Sequence, residues 1–139
     1  MRENFEAAFK IIIGLEGHLT NDLNDPGGFT VYGLSSRFNA GITAELTLDD
    51  AKIIYLNRYW LPAGCDTAPF PFDICLFDGA VNPQRSGNRE ILDLHPENWQ
   101  EFLILRMNRY MQYSKDIYVK GHLQRVVRLF NSIKEMGHG

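Results

Sequence analysis

Phe5, Ala8, Phe9, Ile12 and Ile13 recur at three- and four-residue spacing, and the pattern stops at Gly14-Leu15-Glu16-Gly17. That periodicity puts the five side chains on one face of a helix. Asn4 is a suitable cap for its start. The two glycines weaken continuation, so the helix is expected to end near Leu15 or Glu16. The next stretch of chain is of another kind. Asn24-Asp25-Pro26-Gly27-Gly28 is dense turn chemistry, with a proline that fixes φ and two glycines that admit φ > 0. Phe29-Thr30-Val31-Tyr32 then joins β-branched and aromatic residues that suit a short strand. A chain that opens this way must place a helix beside a small hairpin or loop-strand.

The remainder reads as helical. Thr47 begins a capping box with Asp50 in the reciprocal position, and Leu48, Ala51, Ile54, Tyr55 and Tyr59 form the stripe behind it. Pro62 to Pro71 reads as a loop. Phe72 to Val81 is nearly continuous in apolar residues, interrupted by Asp73 and Asp78, and predicts a helix buried on most sides. Pro96 is expected as the first residue of a long helix carrying Trp99, Phe102, Leu103, Met107 and Tyr110. A last helix is expected from about Leu123 to Met136, with Val126, Val127, Phe130 and Ile133 facing inward. The 139 residues fall within the usual size of one domain and hold no internal repeat or linker. The expected fold class is α+β, mainly α, as a single domain over 1–139 with a small β element after the first helix.

Net charge is −3, which argues against a general nucleic-acid binder, since such a protein carries a basic face to displace counterions. The run Ile11-Ile12-Ile13 is too short for a secretory signal or a membrane span. A soluble product made in a cytoplasm, without membrane insertion, is therefore expected. Cys65 and Cys75 make no disulfide framework; each sits in an apolar setting that suits a buried thiol, and a single bridge between them stays open. His95 and His122 with nearby acids form no metal-ligand spacing, so no metal and no cofactor is expected.

The chemistry concentrates between Gly14 and Ser35. Glu16 follows Ile12, Ile13 and Leu15, and a carboxyl in apolar company has its charged form disfavoured, as a general acid requires. Asp25 lies nine residues on, in a polar, glycine-rich turn that keeps it ionised. Two carboxylates in contrasting environments suit glycoside hydrolysis, one protonating the leaving oxygen and the other assisting water or stabilising the cation. Thr30 offers a hydroxyl to hold that water, and Tyr32 an aromatic platform for a sugar ring. On these residues alone a surface glutamate and an ordinary turn remain open as the plainer reading. His18 either acts on Glu16 or sugar or stands in solvent. Asp78 is either a buried acceptor, bonded to backbone or Tyr, or a cleft residue, and Asn82 ends the same helix. Arg106, Arg109, Arg125 and Arg128 lie at helical spacing, as solvated faces or salt links.

The run Glu16-Gly17-x4-Asp22-x2-Asp25-Pro26-Gly27-Gly28-x-Thr30-x-Tyr32-Gly33-Leu34-Ser35 closely resembles the signature of glycoside hydrolase family 108, the N-acetylmuramidases of phage endolysins and bacterial secretion-activator proteins. The family's E-G-G motif maps its catalytic Glu onto Glu16, with His18 in place of the second Gly. Glu16, Asp25 and Thr30 are also similar to the Glu-Asp-Thr triad of phage-type lysozymes, with the Thr one residue earlier here. Ala51 to Trp60 resembles the family's "eeA…yW" helix, and Leu76-Phe77-Asp78-Gly79-Ala80-Val81-Asn82 its "fD-x-avN" helix. The usual peptidoglycan-binding module is reduced or absent: Arg85 to Asn98 is compressed and lacks the "DG-x-x-G" turn. Lys120-Gly121-His122-Leu123-Gln124-Arg125 is loosely similar to the terminal "GW-x-nR" motif, with His122 at the Trp.

The resemblance implies a lysozyme-like domain that cleaves the β-1,4 bond between N-acetylmuramic acid and N-acetylglucosamine. It implies Glu16, Asp25 and Thr30 as catalytic residues and His18, Asp22, Tyr32 and Asn82 as substrate-binding candidates. The expected partner is peptidoglycan, met by a monomer after release through a holin or another export route. A lytic transglycosylase and a non-catalytic wall-binding or secretion-helper protein on the same scaffold stand as the rival expectations.

Overall fold

The computed structural model describes residues 1–16, 19–21, 29–35, 43, 45–83 and 87–137, and these are mainly helical. A 3-10 turn, Arg2–Asn4, runs into helix α1, Phe5–Glu16. Asn4, expected as a cap, closes that turn, and its amide donates to Asp73 Oδ2 at 2.8 Å. Phe5, Ala8, Phe9 and Ile12 are all buried, as their spacing demands. They meet an aromatic cluster: Trp60 lies 5.3 Å from Phe5 and 5.3 Å from Phe77, both edge-on, and Tyr55 lies 5.6 Å from Phe9. Edge-to-face pairs of this kind contribute about 0.5–1.5 kcal/mol each beyond the area they bury.

Three short antiparallel strands come next, β1 Leu19–Asn21, β2 Phe29–Val31 and β3 Leu34–Ser35, in the order β1-β2-β3. The β2–β3 turn is the pair Tyr32-Gly33, with φ of 51° and 79°. A two-residue hairpin with both φ values positive matches the twist of its strands. Gly33 adopts this at no steric cost, whereas Tyr32 is strained by roughly 1–2 kcal/mol. The Tyr55 hydroxyl offsets that strain by donating to the Tyr32 carbonyl at 2.6 Å.

Helix α2, Leu48–Tyr55, starts with the expected capping box: Asp50 N donates to Thr47 Oγ1 at 3.1 Å, and Thr47 N to Asp50 Oδ2 at 3.4 Å. It continues into a π-helical turn, Leu56–Trp60, closed by Leu61 N on the Leu56 carbonyl at 3.0 Å. The wider turn carries Trp60 into the core, where its Nε1 donates to Asp66 Oδ1 at 2.6 Å. Within the loop to Pro71, Cys65 and Cys75 of the next helix are buried and unbridged, and loss of water pushes the Cys65 thiol up to about 12.

Helix α3 spans Phe72–Val81, as the apolar run predicts, and every residue from Asp73 to Gly79 is buried. The short helix α4, Asn88–Leu92, docks beside it without a signal in the apolar pattern. The docking depends on Gly79. A Cβ there would stand 2.0 Å from Asn88 Oδ1, and Asn88 cannot swing freely because its amide donates to the Leu76 carbonyl at 2.8 Å. Gly79→Ala is therefore expected to cost about 1–3 kcal/mol. Chemical denaturation measures it, and the cost should shrink in an Asn88→Ala background.

Helix α5 is Trp99–Tyr113 and begins later than Pro96 suggests. Asn98 is its cap, accepting from Glu101 N at 2.8 Å, and Pro96 lies outside the helix. Helix α6, Asp116–Glu135, begins seven residues before Leu123. Its buried residues are Val126, Leu129 and Ile133. Val127, expected inward, is 47% exposed, because a helix that buries positions 126, 129 and 133 turns position 127 toward the flank.

Candidate active site

Asp78 lies in the middle of α3, completely buried, where an unpaired carboxylate would not be tolerated. Its partners are two arginines rather than backbone or Tyr. Arg106 of α5 brings Nη1 to 2.8 Å from Oδ2, and Arg125 of α6 donates to Oδ1 from Nε at 3.0 Å and Nη2 at 2.8 Å. Burial opposes ionisation of Asp78, but the charges of Arg106 and Arg125 outweigh it and hold the carboxyl below its usual range. Arg106, only 2% exposed, also donates to the Tyr110 hydroxyl at 2.8 Å, and that hydroxyl donates to the Asn82 carbonyl at the end of α3. One carboxylate thus ties α3, α5 and α6 together and fixes Asn82. Arg106 and Arg125 are core partners and not a solvated face. Arg109 pairs with Glu90.

Above this cluster lies an open groove of about 1110 Å³. Leu15 of α1 and Asn82 of α3 contribute to its walls, and α6 contributes Lys120, His122, Arg125 and Arg128. Pockets for drug-sized ligands measure roughly 300–1,000 Å³, so this open groove lies at the upper end of that range. Arg128 Nη2 donates to the Gly14 carbonyl at 3.3 Å, which puts its guanidinium beside the last turn of α1. His122 Nδ1 lies 2.8 Å from Ser114 Oγ, and its ring is 4.8 Å from that of Tyr110. Burial, then the charges of Arg125 and Arg106, hold His122 below its usual value, so its neutral form is favoured.

Glu16 is the last residue of α1, immediately after Leu15 in the groove wall. The fold brings that helix end and Asn82 to one groove. Residues 9–83 match the family model for glycosyl hydrolase 108, more than half of the 139-residue chain. The chain belongs to this family. No curated protein and no solved structure matches it.

In this glycosyl hydrolase 108 chain the matched segment runs from α1 to just past α3, and α4, α5 and α6 lie beyond it. Thr30 occupies the centre of β2, with Thr20 of β1 and Ser35 of β3 as its neighbours in register. Tyr32 is the strained residue of the β2–β3 turn, and Asn82 ends α3. His18, Asp22 and Asp25 lie outside the described residues, as do the side chains of Glu16 and Thr30. The distance between the Glu16 and Asp25 carboxyls therefore lies outside them too. Sequence reasoning left Arg106 and Arg125 open between solvated faces and salt links and did not name Asp78 as their shared partner. The signal was the charge of Asp78 inside an apolar helix, which required a buried cation from elsewhere. Among the described residues, no three His, Cys, Asp or Glu side chains gather to hold a metal ion, and no helix is long and apolar enough to cross a membrane.

Proposed function

We propose that the protein is a peptidoglycan hydrolase, a lysozyme-like domain over 1–139 that cleaves the β-1,4 bond between N-acetylmuramic acid and N-acetylglucosamine. The supporting observation is the position of Glu16, which closes α1 beside Leu15 at the wall of a groove large enough for linked sugars. The end of a helix carries partial negative charge, which favours a neutral carboxyl over a carboxylate by about 0.3–1 kcal/mol. That assists a proton donor. Glu16 gives its proton to the glycosidic oxygen as the bond to the anomeric carbon breaks. Asp25, as the anionic partner, orients the attacking water or stabilises the oxocarbenium-like state, and Thr30 assists it. His18, Asp22, Tyr32 and Asn82 contact the sugars. Inversion is the proposed stereochemistry, which requires a Glu16–Asp25 carboxyl gap of roughly 6.5–9.5 Å; a gap of roughly 5–5.5 Å would give retention.

Purified sacculi test this reading through release of soluble muropeptides. The wild-type protein is expected to solubilise them, and Asp25→Asn to slow release by about 100-fold, since general base assistance contributes at least that much. A transglycosylase, which needs no water-activating acid, would tolerate Asp25→Asn. Wild-type binding without release would instead identify a non-catalytic wall protein.

A further inference from the structure

Among the described residues, the α6 wall of the groove is cationic although the chain as a whole is acidic. Net charge is −3, yet the α6 wall presents Lys120, Arg125 and Arg128 against a single acid, Asp116. Arg125 is committed to Asp78. Lys120 has no hydrogen bond or ion pair among the described residues, and Arg128 makes one long bond, at 3.3 Å, to the Gly14 carbonyl. Both side chains belong to exposed residues, so neither is held for the sake of packing. Gly14 is two residues from Glu16, which places the Arg128 guanidinium over the same helix end as the proposed acid. A neutral sugar chain makes no use of such charge. The substituents of a wall strand do, because they carry carboxylates.

We propose that Lys120 and Arg128 recognise a carboxylate hung from the muramic acid residue, and so set the register of the strand against Glu16. This rests on the hydrolase reading above for its substrate, but the charge readout is separate from bond cleavage. Two sources share the chemistry: the stem peptide's free carboxylates, and the lactyl carboxylate left when the stem is removed. An arginine fork suits bidentate capture of a carboxylate, and a lysine adds a point charge. Both residues lie on α6, outside the segment that matches the family model, so this device belongs to the part of the chain that the family assignment does not cover.

The test is cosedimentation of the full chain with three preparations freed of phosphate polymers. These are intact peptidoglycan, peptidoglycan with its carboxyls capped as neutral amides, and strands stripped of stems by an amidase. Wild type is expected to bind intact material about 10-fold more tightly than capped material. That ratio is about 1.4 kcal/mol, within what two exposed charge contacts supply. The Lys120→Gln/Arg128→Gln variant should bind intact material as weakly as wild type binds capped material, Lys120→Arg should bind normally, and added salt should erase the difference. Stronger binding to stripped strands than to intact ones assigns the lactyl carboxylate, and weaker binding assigns the stem. Equal binding of wild type to all three preparations, or undiminished binding by the double variant to the material that wild type prefers, overturns the inference. Muropeptides in the supernatant report on hydrolysis independently: release with no charge preference sinks this inference alone, and preference without release sinks the hydrolase reading alone.

Discussion

Glu16→Gln is expected to lower the rate of muropeptide release by about 100- to 10,000-fold while leaving wall binding unchanged. General acid catalysis contributes that range, because without a proton the departing oxygen must leave as an alkoxide. Glutamine keeps the size of the side chain and its capacity for hydrogen bonds and loses only the transferable proton. The effect should therefore fall on kcat and on kcat/KM alike, with KM nearly constant, which marks an interaction used only in the transition state. Glu16 terminates α1, and this isosteric change removes no packed atoms, so the fold is expected to be kept. Release assays with cosedimentation separate these quantities. Full activity in the variant would remove Glu16 from the mechanism.

The second large effect concerns folding. Asp78→Ala is expected to destabilise the protein by about 3–5 kcal/mol, because it leaves the guanidinium of Arg106, 2% exposed, without its carboxylate. Set against a total stability of about 5–15 kcal/mol, this is a large share, and the melting temperature should fall by roughly 10–20 °C. Asp78→Leu combined with Arg106→Met should recover much of the loss, since a buried pair replaced by apolar residues of similar volume is often neutral. The pH dependence has a defined sign. The Asp78 carboxyl is held below its usual value in the folded protein, so its stabilisation is complete above the unfolded value of about 3.9. It is lost as pH falls through the lower folded value. The stability gap between wild type and Asp78→Ala should hence be constant near neutrality and close in strong acid, as urea melts at several pH values would show. A loss under 1 kcal/mol at pH 7 would mean that the cluster is screened by solvent.

Where the pattern of apolar residues was strong, the helices were legible. The face formed by Phe5, Ala8, Phe9 and Ile12 located α1, the run from Phe72 to Val81 gave α3 residue for residue, and Thr47 with Asp50 announced α2. Where polar residues carry the structure, reading failed. Asn98, and not Pro96, starts α5, because a side-chain oxygen that accepts from Glu101 N outweighs the preference of proline for a first turn. The first seven residues of α6, Asp116 to His122, were hidden because the exposed Ile117 and Tyr118 and an unfavourable glycine give no inward stripe. Helix α4 is five residues long and held in place by the Asn88 amide, a tertiary contact with no local signature. For the proposed site, Glu16 and the run that follows it stand out in the sequence as a motif within the segment that matches the family. Its cationic wall does not, since Lys120, Arg125 and Arg128 meet Leu15 and Asn82 only after folding brings α6 across the end of α1.

Mass spectrometry of the glycan ends released from purified peptidoglycan tests the central claim most directly. Hydrolysis by a muramidase predicts that every new end is a reducing N-acetylmuramic acid carrying the elements of one water, and that Glu16→Gln yields none. Anhydro-muramic ends, reducing N-acetylglucosamine ends, or the same products from Glu16→Gln would contradict it.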